Sequence, residues 1–311
     1  MKILIVCSKN SGKIAPFISD QVDALIKSGV ICEYFTIESK GIIGYLRHRK
    51  LLLTKIRKFQ PDLIHAHYGL SGLLANTQRK IPVVTTYHGS DINLPKVYIL
   101  SRMSMALSAY NIFVSKKNLQ KANLKAGFAL IPCGVDTELF YPINKADARL
   151  KLGFDKTEKL VLFAGAFTNM VKNSELAQAA VALLPNVKLL ELKGYSRSEV
   201  ALIMNAVDAC LMTSNTEGSP QFIKEALACN CPVVSVDVGD VKEVIDNVNG
   251  CYIVERETKA IAEVLAKVFY SNAKIEGKKV IDTKGFEQTQ VIKKLIEVYS
   301  ICLAKTHKGN T

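Results

Sequence analysis

Short apolar runs alternate with amphipathic segments along the chain. In the first half, β-branched apolar runs predict buried parallel strands at residues 2–7, 62–67, 82–88, 111–115 and 129–134. Between them lie segments such as APFISDQVDALIKSG, whose apolar residues recur every three or four positions, as in a helix that packs one face on a sheet. Regular alternation of strand and helix predicts a doubly wound α/β sheet.

The same pattern then starts again. A second series of apolar runs predicts strands at residues 159–165, 187–194, 209–214, 232–237 and 250–254. The stretch GVDTELFYPINKADARLKLG between the two series contains Pro142 and no strand pattern, as expected of a linker. We therefore predict two Rossmann-like doubly wound domains that face a cleft. Residues 1–142 form the first domain and residues 143–311 the second, with a final helix at about 287–305 that can pack back on the first.

Composition supports a globular, cytoplasmic protein. The 311 residues are 49% hydrophobic and 22% charged, which excludes a disordered chain and suits two domains of ordinary size. No secretory signal is recognisable, and no apolar stretch reaches the roughly 18 residues of a membrane-spanning helix. Eight cysteines without a CxxC pair predict reduced, buried thiols, and the spacing of Cys229 and Cys231 does not suit a metal.

The net charge of +13 is unevenly distributed. Residues 1–142 contain 19 Lys and Arg against 8 Asp and Glu, whereas the remainder contains 22 against 20. A basic N-terminal half beside a nearly neutral C-terminal half indicates that the first half meets an anionic partner. We do not expect that partner to be a nucleic acid.

The stretch TEGSPQFIKEALACNCPVVSV follows the predicted strand at 209–214. Ser219 and Pro220 are typical of a helix N-cap and first turn, so the amides of Gly218, Ser219 and Gln221 would face a diphosphate. Two carboxylates flank this start, and each needs a neutral hydroxyl partner beside the phosphates. A sugar nucleotide provides both, with hexose hydroxyls for Glu217 and the ribose for Glu225. The alternative is a solvated helix with surface glutamates.

At this point the sequence resembles the family 4 glycosyltransferases of the GT-B fold, which are retaining sugar-nucleotide transferases. EGSPQFIKEALACNCPVVS is similar to that family's EGxPxxxxEAxAxGxPVV block, and VGDVKEVI follows as in the family. PDLIHAHYGLSG, VVTTYHGSD, VSKKNL and IPCGVDTELFYP resemble further family motifs in the same order. The resemblance runs over almost the whole chain.

The resemblance implies a reaction and its participants. A hexosyl group would move from a nucleotide diphosphate to a hydroxyl of a glycan or lipid-linked acceptor in polysaccharide or glycolipid synthesis. Uridine diphosphate is the expected leaving group, because it is the more frequent one in the family. The anomeric configuration would be kept, and neither a cofactor nor a metal is expected, since no DxD aspartate pair is found. The amides and a lysine would instead stabilise the leaving diphosphate.

Site residues carry over from the family motifs one by one. Lys172 resembles the lysine that neutralises the donor diphosphate, and His88 in YHGSD the histidine that faces the donor sugar. Gly194 and Tyr195 resemble the turn that meets the nucleobase, with Ser196 capping the next helix. Gly12 resembles the glycine that lets the first domain approach the donor phosphates.

Several positions stay open or depart from the family. His65 and His67 are either structural or on the acceptor side, and Asp91 either supports its loop or contacts the acceptor. The family usually has an arginine after FxG, whereas FAGAFTN has Ala166 and Phe167 there. Asn230 replaces a usual glycine, and asparagine also tolerates the left-handed conformation at a helix end.

Two other functions share this architecture. A sugar-nucleotide epimerase or hydrolase would act on the same donors without an acceptor, and the missing arginine would also suit an inactive nucleotide-binding partner subunit.

The segment GYLRHRKLLLTKIRKF, residues 44–59, indicates where the protein works. Its six basic residues have no acidic neighbour within the segment. On a single helix, one arc contains Tyr45, Leu46, Leu52, Leu53, Ile56 and Phe59, and every basic residue except Arg49 lies outside this arc. That arc either packs on the sheet or docks on an anionic membrane surface. The basic N-terminal half favours peripheral binding at the inner face of the cell membrane.

Overall fold

The structure, a computed structural model, describes residues 1–271 and 273–308. They form two compact units. Unit 1 comprises Met1–Gly134 together with the chain from Gln288 onward, and unit 2 comprises Val135–Glu287. The division therefore falls after Gly134 and not near residue 142, and the linker sequence around Pro142 lies in unit 2. It has no strand, but it packs Phe140 fully into the core of that unit.

Unit 1 contains a six-stranded parallel sheet with the order β2-β1-β3-β4-β5-β6. Its strands are β1 (Lys2–Ser8), β2 (Ile31–Ile37), β3 (Leu63–His67), β4 (Val83–Tyr87), β5 (Tyr110–Phe113) and β6 (Phe128–Leu130). Its helices are α1 (Pro16–Lys27), α2 (Gly41–Arg47), α3 (Arg49–Phe59), α4 (Gly69–Asn76), α5 (Ser90–Asn93), α6 (Pro95–Leu107), α7 (Lys116–Ala122) and a C-terminal helix (Gln288–Lys308). The predicted α/β class is thus observed.

The C-terminal helix covers one face of this sheet. Its residues Val291, Leu295 and Tyr299 are buried in one cluster with Ile3 and Ile5 of β1. Each large apolar side chain that is fully buried contributes roughly 1.5–3 kcal/mol to folding. The helix is therefore part of the core of unit 1, although it is far from β1 in sequence.

The basic segment at 44–59 is not the single helix that the sequence predicts. It consists of α2 and α3, with His48 between them. Tyr45, Leu52 and Phe59 are buried as the predicted arc requires, but Leu46 is 41% exposed. The break at His48 rotates the two helices relative to the ideal helical wheel, so that part of the apolar arc reaches the surface.

Unit 2 contains a five-stranded parallel sheet with the order β11-β10-β9-β7-β8. Its strands are β7 (Lys159–Phe163), β8 (Val187–Glu191), β9 (Ala209–Met212), β10 (Val233–Val236) and β11 (Tyr252–Val254). Its helices are α8 (Lys145–Leu152), α9 (Ser174–Ala182), α10 (Arg197–Ala206), α11 (Gln221–Ala228), α12 (Val241–Ile245), α13 (Thr258–Phe269) and α14 (Gly277–Thr283), with a 3-10 turn at Met170–Lys172. β7, β9 and β10 are almost wholly buried. Polar side chains that could bind a ligand are therefore expected in the loops at the ends of these strands.

Candidate functional site

The loop between β9 and α11 carries four of the predicted donor-binding residues of unit 2, Glu217 to Pro220. Helix α11 begins at Gln221, and Pro220 precedes it without a side-chain cap. The prediction that Ser219 caps this helix is therefore wrong. The Ser219 hydroxyl instead donates to Asp240 Oδ2 at 2.6 Å and accepts from Lys224 Nζ at 2.7 Å.

Glu217 and Lys172 are brought together at the carboxyl edge of the sheet. Lys172 Nζ lies 2.6 Å from Glu217 Oε1, with the two side chains 22% and 16% exposed. The Lys172 carbonyl accepts a hydrogen bond from Thr213 Oγ1 at 3.0 Å, just beyond β9. A side chain at Gly165 would come within 2.9 Å of Lys172 Cγ, so the glycine that follows β7 makes room for the lysine. Two residues 45 positions apart thus form one charged pair.

Glu225 is paired with a cation that the sequence reading missed. Arg197 Nη2 lies 2.7 Å from Glu225 Oε1, and the Glu225 side chain is only 6% exposed. The guanidinium also lies over the Phe140 ring, 4.7 Å from its centroid, a cation–π contact. Arg197 directly follows the predicted nucleobase turn and helix cap. This position beside predicted site residues was the one signal in the sequence that could have identified it.

The turn predicted to meet a nucleobase has the expected local structure. Gly194 has a φ of +84°, which a residue with a side chain rarely adopts, and Tyr195 is 41% exposed. Ser196 caps α10 and forms a capping box with Glu199, as its position predicts. The cap orients the first turn of α10, so Arg197 is directed toward α11.

The two residues in place of the family arginine are held by other contacts. The Phe167 amide donates to Glu191 Oε1 at 2.7 Å, and its carbonyl accepts from Ser174 Oγ at 2.7 Å. Its ring packs on Phe163 with centroids 5.6 Å apart. Ala166 and Phe167 therefore shape the loop without a positive charge.

In unit 1, His88 lies among aromatic rings after β4. Its Nε2 is 3.0 Å from His67 Nδ1, and the rings of Phe17 and Tyr68 each lie 4.7 Å from its own ring centroid. Tyr68 has a φ of +73°, a strained value for a residue with a large side chain. Gly12, in the loop after β1, has a φ of +85°.

His65 has a structural role in this unit. It is fully buried, with Nδ1 2.6 Å from the Tyr299 hydroxyl and Nε2 2.7 Å from Thr86 Oγ1. Burial lowers the pKa of His65 to about 3 and holds the pKa of His67 well below its usual range, with His65 and His88 adding to the effect on His67. Both imidazoles are therefore neutral at physiological pH.

Asp91 supports the loop that carries His88. Its carboxylate accepts hydrogen bonds from the amides of Gly69, His88 and Gly89 at 2.9–3.2 Å. Burial nevertheless raises the pKa of Asp91 to about 6. The same residue borders a cavity of about 370 Å³ in unit 1, whose lining also includes Asn10, Ser11, Lys13, Tyr45, Tyr68, Leu70 and Leu94.

All eight cysteines are free thiols, and six are buried as predicted, whereas Cys32 and Cys251 are half-buried. Burial raises the pKa of Cys7 to about 12 and that of Cys229 above its usual range. Asn230 has a φ of +54° at the end of α11, the left-handed conformation expected of it. Among residues 1–271 and 273–308, no helix is both long and apolar enough to cross a lipid bilayer.

Solved structures share this two-unit architecture. Sucrose-phosphate synthase from Thermosynechococcus elongatus superposes with a TM-score of 0.84 at 18% identity, over 98% of this chain and 99% of that one. HepE of Anabaena, in a complex with UDP, superposes with a TM-score of 0.75 at 18% identity, over 96% and 100% of the two chains. Two Rossmann-like units of this kind define the GT-B fold.

Sequence comparison then identifies the family. The model for Glycosyltransferase Family 4 matches residues 13–139, and the model for Glycosyl transferases group 1 matches residues 159–270. The uncharacterized glycosyltransferase MJ1178 of Methanocaldococcus jannaschii is 30% identical over 232 residues, which are 68% of this chain and 66% of that protein. The chain belongs to the family 4, or group 1, glycosyltransferases. Four other relatives are matched over 57–68% of their own length, so the chain spans about two thirds of them or less.

Proposed function

We propose that the protein is a retaining glycosyltransferase that moves a hexosyl group from a UDP-sugar to a hydroxyl of a glycan or lipid-linked acceptor. The observation that carries this proposal is the Lys172–Glu217 ion pair beside the start of α11. A cation for a diphosphate and a carboxylate for sugar hydroxyls lie side by side there. Glu225 with Arg197 forms a second pair for the ribose end of the donor.

UDP is the proposed leaving group. HepE, which has the same fold, is described in a complex with UDP. In this chain, Gly194 and Tyr195 would contact the base, and the backbone of Gly218 to Gln221 would contact the diphosphate. His88 in unit 1 would face the donor sugar, and Gly12 would allow close approach to the phosphates. These roles follow the family motifs that the chain contains.

The leaving diphosphate is proposed to be stabilised without a metal. Lys172 and the amides of the β9–α11 loop supply the positive potential where charge develops in the transition state. Turnover is therefore expected to continue in EDTA. Complete loss of activity in EDTA, with recovery on adding manganese, would contradict this part of the proposal.

The acceptor is assigned to unit 1. The lining of its cavity of about 370 Å³ includes the polar residues Ser8, Asn10 and Ser11 together with Tyr45, Tyr68, Leu70 and Leu94. Such a lining suits an amphiphilic acceptor such as a lipid-linked sugar. In α2 and the first turn of α3, Ile43 and Leu51 are 66% and 61% exposed beside basic residues. We propose that this surface docks on anionic lipid, which would bring the acceptor to the cavity.

Binding and turnover can be tested directly. Thermal unfolding should be screened against UDP- and GDP-linked sugars, because a ligand at 100 times its Kd adds about 2.7 kcal/mol of stability. A radiolabelled donor that raised the unfolding temperature should then be incubated with and without a panel of acceptors. Transfer to an acceptor, with the anomeric configuration kept, is expected.

The same assay separates the two alternatives. Release or inversion of the sugar without any acceptor would favour an epimerase or hydrolase. Binding without turnover on any acceptor would favour an inactive partner subunit, a reading that Ala166 and Phe167 support.

A further inference from the structure

A fully buried lysine lies behind the proposed donor loop. Lys224 is 0% exposed, although it is on the short helix α11 between buried apolar residues such as Ile223 and Leu227. Helical side chains lean toward the helix N-terminus, and Lys224 Nζ accordingly reaches back to Ser219 Oγ at 2.7 Å and Gln221 Oε1 at 3.4 Å. The ammonium group thus lies against the residues that begin the helix.

The chain of polar contacts continues to a second loop. Ser219 Oγ donates to Asp240 Oδ2 at 2.6 Å, and Asp240 is 6% exposed. A side chain at Gly239 would come within 2.8 Å of the Gly218 carbonyl, so this glycine lets the two loops touch. Lys224, Ser219 and Asp240, which we call the buried triad, therefore tie α11 to both loops.

Stability alone does not account for the triad. A buried charge pair adds little to stability relative to apolar residues of similar volume, because desolvation offsets the attraction. The other buried side chains on this part of α11 are mostly apolar, so a methionine or leucine would serve the core. A positive charge at this position is better explained by what the adjacent loop binds.

The charge of unit 2 makes a cation here useful. Val135–Glu287 contains 18 Lys and Arg against 21 Asp and Glu, a net charge of −3. Ala166 and Phe167 provide no cation in the loop after β7. Besides Lys172 and the loop amides, the cations near the β9–α11 loop include Arg256, which donates to the carbonyls of Thr213 and Ser214, and Lys224, which contacts Ser219 itself.

We propose that Lys224 is a positioning residue for the donor: the buried triad fixes the loop of residues 217–220, and the Lys224 charge favours a diphosphate bound at that loop. This inference rests on the proposed function. Lys224 does not touch the solvent, so it acts through Ser219 and the loop backbone. Its effect is expected on ligands that carry phosphates and not on the nucleoside.

The test compares UDP with uridine. Lys224→Met alone would leave Asp240 buried without its cation, so the main variant is Lys224→Met with Asp240→Asn, and it is compared with Asp240→Asn alone, which keeps the Lys224 charge. Calorimetry gives the Kd of UDP, ligand-observed NMR that of uridine, and thermal unfolding checks the fold. The double variant is expected to fold and to bind uridine like the wild type, but to bind UDP about ten- to a hundredfold more weakly.

A second variant keeps the inference testable if the double variant does not fold. Ser219→Ala retains both charges but removes the hydroxyl that bridges Lys224 and Asp240. It should weaken the binding of UDP severalfold and leave the binding of uridine unchanged. Lys145→Met is the matched control, because Lys145 pairs with Asp208, away from this loop, and Arg149 still pairs with that carboxylate. The control should bind both ligands normally.

The outcomes are distinct. Unchanged UDP affinity in the double variant or in Ser219→Ala, or an equal loss for UDP and uridine, would overturn the inference. Failure of the wild type to bind UDP would instead overturn the proposed function.

Discussion

Units 1 and 2 each contain a parallel sheet, but they differ in net charge and in where their charged side chains lie. By composition, unit 1 has 23 Lys and Arg against 7 Asp and Glu, a net charge of +16, whereas unit 2 has a net charge of −3. Near the carboxyl ends of the strands the contrast is the opposite, with neutral side chains in unit 1 and charged ones in unit 2. Unit 1 buries neutral imidazoles there, and unit 2 gathers the ion pairs Lys172–Glu217 and Arg197–Glu225.

The difference separates two uses of charge. Excess charge on a surface acts over about a Debye length and attracts a partner of opposite sign. Charges at a strand edge act over a few ångströms and are effective because they are partly desolvated. We infer that the basic surface of unit 1 serves docking, whereas the paired charges of unit 2 serve ligand binding.

The largest expected effect comes from neutralising a carboxylate of the proposed donor site in unit 2. Glu217→Gln keeps a hydrogen-bond acceptor for Lys172 but removes the charge, and it should lower kcat about 10²- to 10³-fold with little change in UDP affinity. Steady-state kinetics and calorimetry measure the two quantities. Glu175→Gln, at an exposed position of α9, is the control and should change neither kcat nor the affinity for UDP. Small, equal effects from changes at Glu217 and Glu225 would refute the assignment.

Removing the second carboxylate should act on binding. Glu225→Ala deletes the proposed ribose acceptor and leaves Arg197 without this partner, so UDP should bind ten- to a hundredfold more weakly. At saturating donor, kcat should change much less. Exposed Glu263→Ala on α13 controls for loss of one negative charge. A fall in kcat without a change in Kd would reverse the roles of the two glutamates.

Acid should destabilise unit 1 more than unit 2. The folded pKa of His65 is about 3, so its contribution to stability is present above pH 6.5 and is lost as the pH falls. Between pH 6.5 and 5 the loss is about 2 kcal/mol for His65, and His67 adds to it. Asp91, with a pKa raised to about 6, opposes part of this loss. Unit 2 contains no histidine.

Hydrogen exchange in β1 and β3, compared with β7 and β9, measures this contrast. Between pH 6.5 and 5, His65→Gln should reduce the acid-induced loss of unfolding free energy in unit 1 by about 2 kcal/mol. Equal acid sensitivity of both units, or an unchanged slope in the variant, would show that the buried imidazoles are not responsible.

The smallest expected effect concerns the basic surface. Changing Lys55, Arg57 and Lys58 to serine should reduce binding to anionic vesicles about thirtyfold at low salt. Each basic residue near the membrane contributes about 1 kcal/mol, and Lys55 contributes less because it also pairs with Glu33. Donor hydrolysis in solution should not change. Lys274, Lys278 and Lys279 of unit 2, changed to serine, provide a control of equal charge. Equal sedimentation of the wild type with neutral and anionic vesicles would favour a soluble acceptor.

The sequence predicted the strands that are buried on both faces, because continuous apolar runs mark them clearly. It did not predict β2, which is at the sheet edge and buries only Phe35 and Ile37, whereas Ile31 and Glu33 are exposed. It also joined α2 and α3, since their helical periodicity continues through His48. Both failures arise where tertiary contacts and not the local pattern decide the conformation.

The residues of the proposed donor site could be predicted from the sequence, but their pairing could not. Glu217, Glu225 and Lys172 stand out by motif, yet their pairing depends on loops far apart in sequence. Ser219 looks like a helix cap locally, and only Asp240, 21 residues later, explains its actual hydrogen bond. Arg197 was missed because a lone arginine after a cap has no motif of its own.

The central claim is that a sugar nucleotide binds to unit 2 at the β9–α11 loop and the turn before α10. Hydrogen exchange of the protein with and without saturating UDP locates binding most directly. We predict slower exchange of the amides at residues 194–198 and 217–223. No protection there, with protection instead around the cavity lined by Lys145, Asp208 and Pro232, would contradict the account.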